Sequence, residues 1–336
     1  MLFGGQSAEH AVSLMSGEAI IAALRAHHEV VPIGISRAGR FLPGADPRLA
    51  LAGQGQLEEP AASPAPTETV AGLDVVVVAL HGPMGEDGTV QGLLELAGIP
   101  YVGSGVLASA VSMDKAMMKA AFGQAGLPVG PWRLVREADW RAGPERALQP
   151  LADFRLPLFV KPANMGSSVG ISRVEAWAEL SAAVEEAFRH DRRVVVEEGL
   201  SGRELECGVI GNDAPEASVV GEVVSHRPFY DYEAKYQPGG ADLVIPADLP
   251  PEVAERARRL ATAAFVAVDA AGLARVDMFL AGDTLYLNEI NTLPGFTPYS
   301  MFPRLWQASG VDYPTLLDRL VSYALERHQH RAGRAD

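Results

Sequence analysis

The chain has 336 residues, 48% of them hydrophobic and 21% charged, with a formal net charge of −14. That length exceeds the ~250–300 residues at which one hydrophobic core stops growing, so two or three domains sharing one active site are expected, and the composition excludes disorder or membrane insertion. With a pI of about 5.0 the chain repels nucleic acid and anionic lipid, so an anionic substrate must meet locally placed cations or a metal.

From residue 1 to about 103 apolar runs alternate with amphipathic ones, the pattern of an open parallel sheet flanked by helices. Residues 29–36 and 74–80 read as strands, and 15–27 and 89–97 as helices. The stretch 43–72 is rich in Gly, Pro and Ala and reads as an irregular connection. A second segment, 104–197, reads as a small α+β unit: a helix over 113–123, a strand at 158–162, a glycine-containing turn, a helix over 175–189 and a strand at 193–197. The remainder, 198–336, predicts strands at 204–210 and 218–224 and then a long irregular loop. A helix over 251–271, a hairpin over 274–290 and a final helix over 313–329 complete it.

The single cysteine, Cys207, lies in an apolar stretch and reads as core filling; one thiol allows no internal disulfide and suits a reducing compartment. MLFGGQSAEH lacks the basic and long apolar regions of a secretion signal, and the apolar run 73–80 falls far short of the ~18 residues a membrane span needs. A cytoplasmic location follows as the expectation.

Side chains alternate across a strand, so in the hairpin Arg275 shares a face with Asp277, and Glu289 with Asn291. Pairing the two strands would converge two carboxylates and an amide, an all-oxygen cage that suits Mg²⁺ completed by water and phosphates. Arg275 beside it could neutralise a transferring phosphoryl group or an oxyanion. Spacing alone equally allows a solvent-facing hairpin with scattered charges.

Lys161 closes an apolar strand and is followed by Pro162-Ala163-Asn164-Met165-Gly166-Ser167-Ser168-Val169-Gly170, a turn of small residues through which backbone N–H groups can approach phosphate. It is not a P-loop, because the GxxxxGK[ST] order is missing, and by itself such a turn is more often simply a hairpin. Lys115, in Ser112-Met113-Asp114-Lys115, is a second candidate phosphate ligand or an exposed helix lysine. The junction Glu197-Glu198-Gly199-Leu200-Ser201-Gly202-Arg203-Glu204 can offer backbone groups to an adenine edge and a carboxylate to ribose.

Together and in this order, these segments resemble the D-alanine:D-alanine ligases of the ATP-grasp superfamily. The resemblance also runs through Gly4-Gly5-Gln6-Ser7-Ala8-Glu9, Leu80-His81-Gly82-Pro83-Met84-Gly85-Glu86-Asp87-Gly88 and Tyr101-Val102-Gly103-Ser104-Gly105. It continues in Tyr230-Asp231-Tyr232-Glu233-Ala234-Lys235-Tyr236 and Asn288-Glu289-Ile290-Asn291-Thr292-Leu293-Pro294-Gly295-Phe296. Two positions depart from it: only three residues precede Gly4, which implies either a shortened first strand or a misassigned start, and Ala11 stands where many relatives carry Glu.

The resemblance implies an N-terminal α/β domain (1–103) followed by a two-lobed ATP-grasp fold (104–197 and 198–336), with a mobile lid at about 226–245. It implies that Lys115 and Lys161 contact phosphates, that Glu197, Glu198 and Leu200 meet adenine, that Glu204 holds the ribose, and that Asn288 also belongs to the ATP site. Asp277, Glu289 and Asn291 would bind two Mg²⁺ or Mn²⁺ ions. Glu9, linked to Ser167 and Tyr236, would hold the ammonium of the first D-alanine, and His81 would line its site unless it only stabilises a turn. Lys235 and Ser300 would meet the second substrate's carboxylate, and Arg275 with the Gly295 N–H would form the oxyanion hole. The implied reaction joins two D-alanines through an acyl phosphate at the expense of ATP, for peptidoglycan precursors, with Tyr236 favouring an amine over a hydroxyl nucleophile. By analogy the chain is a homodimer without nucleic-acid or membrane partners. The alternatives are a ligase using D-serine or D-lactate and a nucleotide-binding homologue without turnover.

Overall fold

Short apolar strands build the first sheet of the structure, a computed structural model that describes residues 1–53, 57, 63–166, 169–225 and 241–333. β1 (Leu2–Gly4) runs parallel to β2 (Ile33–Ile35), with Leu2 opposite Ile33. On its other side Leu2 bridges in parallel to Val78, and Val76 to Tyr101. The run 74–80 is therefore the middle of an open parallel arrangement. Its edge is β3 (Phe41–Pro43), antiparallel to β2 and lying at the start of the stretch expected to be irregular. Pro43 ends an edge strand, where a missing N–H disturbs no inner ladder. The same stretch holds two short helices, Pro47–Ala52 and Pro66–Val70, each opened by a proline in its first turn. Helix His10–Leu24 packs on this sheet and starts five residues before the expected 15. Its Gly17 is required by that packing, since a Cβ there would lie 2.7 Å from the Cβ of Phe3.

The second sheet joins β4 (Trp132–Arg136), β5 (Leu158–Pro162), β6 (Ser172–Val174) and β7 (Arg193–Glu198) in the antiparallel order β4-β7-β5-β6. β4 and β6 escape the apolar pattern because they are short edge strands carrying arginines. Leu158, Val160, Val194 and Val196 form its core with helix Leu180–Ala187. The helix expected over 113–123 corresponds to Lys115–Gln124, which continues the path of a further helix, Val106–Met113. Asp114 breaks and restarts it: its carboxylate accepts the N–H groups of Ala116 at 3.1 Å and Met117 at 2.9 Å, an N-cap that Arg193 reinforces. Lys115 is thereby set on the first helical turn.

The third sheet contains β8 (Arg203–Gly211), β9 (Glu216–Ser225), β10 (Ala241–Val244), β11 (Gly272–Ala281) and β12 (Thr284–Asn291), in the antiparallel order β10-β9-β8-β11-β12. Helix Pro251–Ala267 covers one face with Ala257, Ala261, Ala264 and Phe265, and Met118 and Phe122 join the same core. That helix stops short of the expected 271 because Asp269 takes a positive φ of 58°. Cys207 is fully buried in this core, and burial pushes its thiol up to about 12. Of the expected lid, residues 226–240 lie outside the described residues, and 241–244 form β10. The final helix, Tyr313–Ala332, packs against His10–Leu24 and sets the Arg327 guanidinium 4.5 Å from the Tyr101 ring, binding the two ends of the chain. Among the described residues no helix is long and apolar enough to cross a membrane.

Candidate active site

The second and third sheets enclose a cleft of about 570 Å³ that the N-terminal segment closes with Glu9 and His81. Every described candidate site residue lines it except Ser300. Ser300 stands beside the cleft residue Gly295, where an added Cβ would lie 3.1 Å from the Ser300 hydroxyl, and that hydroxyl accepts the Thr297 N–H at 3.1 Å. Ser167, Lys235 and Tyr236 lie outside the described residues.

One wall is basic. Lys115 Nζ donates to the Met165 carbonyl at 2.6 Å. Lys161, from the end of β5, meets Glu197 on β7 at 2.9 Å, and Lys119 meets the other oxygen of Glu197 at 3.3 Å. Burial opposes the charge on Glu197, but the two ammonium groups outweigh it and hold the carboxyl down at about 2. Burial likewise opposes the Lys161 ammonium, and Glu197 overrides it and raises that group. Glu198 lines the cleft with Leu200, and its carboxylate accepts the Arg155 N–H at 3.0 Å. Phe159, Ile171, Leu200 and Leu287 supply apolar lining near this end.

A carboxyl whose pKa is depressed by folding stabilises the fold above its unfolded value near 4.5 and loses that contribution as pH falls toward about 2. For Glu197 the contribution is on the order of 3 kcal/mol. Denaturant midpoints followed from about pH 6 down to about pH 3 should therefore fall more steeply in the unaltered chain than in Glu197→Gln. Parallel slopes would remove Glu197 from the acid-sensitive groups.

The opposite wall is acidic around one guanidinium. In β11 and β12 Asp277 stands directly opposite Glu289 and Arg275 opposite Asn291. Glu206 on β8 stands opposite Asp277 on the other side, so three carboxylates cross three neighbouring strands in one row. Arg275 donates from Nε and Nη2 to the two oxygens of Asp277 at 2.7 Å each, and its Nε lies 3.0 Å from Glu206. Burial opposes its charge, but Asp277 and Glu206 raise the guanidinium well above its usual range. The pairing shifts by one residue between Asp277 and Met278, leaving Asn288 as an extra residue in β12. This bulge reverses the strand's parity: Leu285 and Leu287 point to the core before it and Ile290 after it. Glu289 and Asn291 reach the cleft for that reason.

Two carboxylates and an amide on one wall are the hard-oxygen donors that Mg²⁺ takes, and a partial set suits an ion completed by water and phosphate. Among the described residues no group of three or more His, Cys, Asp or Glu forms a ready cage. At the closed end, Glu9 is 8% exposed, and a Cβ at Gly82 would lie 2.7 Å from its carboxylate. Gly82, at φ +77°, thus permits the close approach of Glu9. His81 Nδ1 donates to the Leu293 carbonyl at 3.1 Å and Nε2 lies 3.0 Å from the Ser16 hydroxyl, so it braces the loop while lining the cleft.

Sequence reasoning missed Lys119 and Glu206. Lys119 follows Lys115 by one helical turn, and Glu206 follows Glu204 on the same strand face; these spacings were the available signals.

Two antiparallel sheets enclosing a cleft, with lysines on one wall and an oxygen-rich hairpin on the other, define an ATP-grasp enzyme of the ligase class. The family model described as D-ala D-ala ligase N-terminus matches residues 1–104, and that of the D-ala D-ala ligase C-terminus matches 121–322. The D-alanine--D-alanine ligase of Deinococcus radiodurans is 51% identical, over 97% of this chain and 98% of its own length. That of Geobacillus kaustophilus is 49% identical, over 98% and 95%. Among solved structures, the D-alanine-D-alanine ligase from Coxiella burnetii superposes with a TM-score of 0.85 at 36% identity, covering 99% of this chain and 95% of its own. The VanG D-Ala:D-Ser ligase from Enterococcus faecalis gives the same TM-score of 0.85 at 34% identity, covering 96% and 98%. The chain belongs to the D-alanine:D-alanine ligase family.

Proposed function

We propose that this protein joins two D-alanine molecules to D-alanyl-D-alanine, with ATP converted to ADP and phosphate, to supply peptidoglycan precursors. The observation that carries the reading is the cleft itself: Lys115 and Lys161 face Arg275, Asp277, Glu289 and Asn291 across it, in a chain of this family. The segments 1–103, 104–197 and 198–336 each contribute to that one site.

A carboxylate resists attack by an amine until one of its oxygens becomes a leaving group. In the first step that oxygen attacks the γ-phosphorus, the bond to ADP breaks, and an acyl phosphate forms. Lys115 and Lys161 orient the phosphates, the backbone at Glu198 and Leu200 meets adenine beside Glu197, and Glu204 meets the ribose. Asp277, Glu289 and Asn291 would hold two Mg²⁺ or Mn²⁺ ions, which would supply further neutralisation of phosphate charge. Glu9 orients the ammonium of the first D-alanine, with His81 at its side and Ser167 and Tyr236 as its further partners. The second D-alanine, its carboxylate met by Lys235 and Ser300, attacks through its amine. Arg275 and the Gly295 N–H stabilise the tetrahedral oxyanion, the amine gives up a proton, and phosphate departs. The reading extends to a cytoplasmic homodimer, on the strength of the family resemblance.

A ligase for D-alanine and one for D-serine superpose with the same TM-score of 0.85, so the fold alone does not choose the acceptor, whereas the relatives at 49% and 51% identity are D-alanine--D-alanine ligases and favour D-alanine. The test is a product assay with ATP, Mg²⁺ and D-alanine, D-serine, D-lactate or L-alanine offered side by side, read by mass spectrometry. D-alanyl-D-alanine should dominate with stoichiometric ADP. Folded protein in which D-alanine fails to stimulate ATP hydrolysis would overturn the reading.

A further inference from the structure

Lys119 is 3% exposed, and a buried ammonium is stable only with well-placed acceptors. It has one hydrogen-bond acceptor and one ion-pair partner, on the strands that flank the cleft from either sheet. Its Nζ lies 3.3 Å from Glu197 on β7 and donates to the Asn288 carbonyl, in the bulge of β12, at 3.3 Å. Lys161 sits differently: its ammonium holds the other Glu197 oxygen from the cleft wall, with the Phe159 ring centroid 5.9 Å away.

Glu197 is buried, and its ion-pair partners among the described residues are these two lysines. Were Lys161 its sole counter-ion, turning that lysine toward a phosphate would strand a buried carboxylate, the costly outcome for any buried pair. With Lys119 in place, the same movement leaves a neutral buried pair behind. We propose that Lys119 is the standing counter-ion of Glu197, a positioning residue that releases Lys161 to a nucleotide phosphate. The inference rests on the reading of this cleft as an ATP site. It explains why one carboxylate has two lysines: both line the cleft, but the Lys119 side chain is 4% exposed and tied to the Asn288 carbonyl, whereas that of Lys161 is 14% exposed.

The test is a double-mutant cycle on ATP binding, measured by titration calorimetry of the full chain with Mg²⁺ and without D-alanine, so that turnover is not needed. Lys119→Met should weaken ATP binding at least tenfold, because Glu197 then captures Lys161. With Glu197→Gln already present, adding Lys119→Met should change the affinity less than twofold, since nothing remains to hold Lys161 back. A merely structural lysine would cost the same factor in both backgrounds, and that result overturns the proposal, as does a Lys119→Met affinity within twofold of the unaltered chain. If Lys119→Met does not fold, Lys119→Gln takes its place in the cycle under the same criteria. Failure of the unaltered chain to bind ATP would overturn the ATP-site reading and this proposal together, whereas binding with an additive cycle overturns this proposal alone.

Discussion

Asp277→Asn is expected to lower kcat by about three orders of magnitude, equivalent to roughly 4 kcal/mol of transition-state stabilisation, in a protein that still folds. The substitution keeps the shape of the side chain and removes one charge from the row formed with Glu206 and Glu289. That row is crowded with like charge, so its neutralisation does not threaten the fold. Arg275 keeps a partner, because Glu206 lies 3.0 Å from its Nε. What is lost is an anionic oxygen facing the phosphates, on the wall where a hard cation would sit. The Mg²⁺ concentration needed for half-maximal rate should therefore rise along with the fall in kcat, while the thermal midpoint stays within a few degrees of the unaltered protein. A variant with full activity and unchanged Mg²⁺ dependence would remove Asp277 from the cation set.

The hairpin shows how far alternation carries and where it stops. Placing Arg275 with Asp277 and Glu289 with Asn291 needs only the period of a strand, and the cross-strand pairs 275–291 and 277–289 follow the expected face. The bulge at Asn288, which brings the second pair round to the cleft, has no signature in the local sequence because it depends on how β12 meets β11. Lys119 is hidden for a different reason. It sits among Ala116, Met118 and Phe122, a helix face that reads as core, and only the fold reveals that Glu197 and a bulge carbonyl meet it there. Glu206 is concealed in the same way, since its ion pair with Arg275 forms across neighbouring strands. The short helices Pro47–Ala52 and Pro66–Val70 read as irregular because Gly, Pro and Ala mark turns and helix starts alike. The N-terminal sheet, by contrast, is legible from the apolar run 74–80 even though it pairs through isolated bridges.

Arg275→Lys should separate charge from geometry. Lysine keeps the positive charge that compensates Asp277 and Glu206, so the carboxylate row stays neutralised and the protein stays folded. It cannot reproduce a planar fork that grips both Asp277 oxygens at 2.7 Å while a third contact reaches Glu206. If Arg275 serves the tetrahedral oxyanion as a fixed donor, losing that fork should reduce kcat by about 10²–10³ with little change in ATP affinity, since the donor acts after the nucleotide is bound. Arg275→Met should fall at least as far in rate and also lose stability, because it leaves buried carboxylates uncompensated. The two variants therefore diverge in their unfolding midpoints while agreeing in kcat. A lysine variant with nearly normal kcat would show that only charge is needed here, and the oxyanion role would pass to the Gly295 N–H alone.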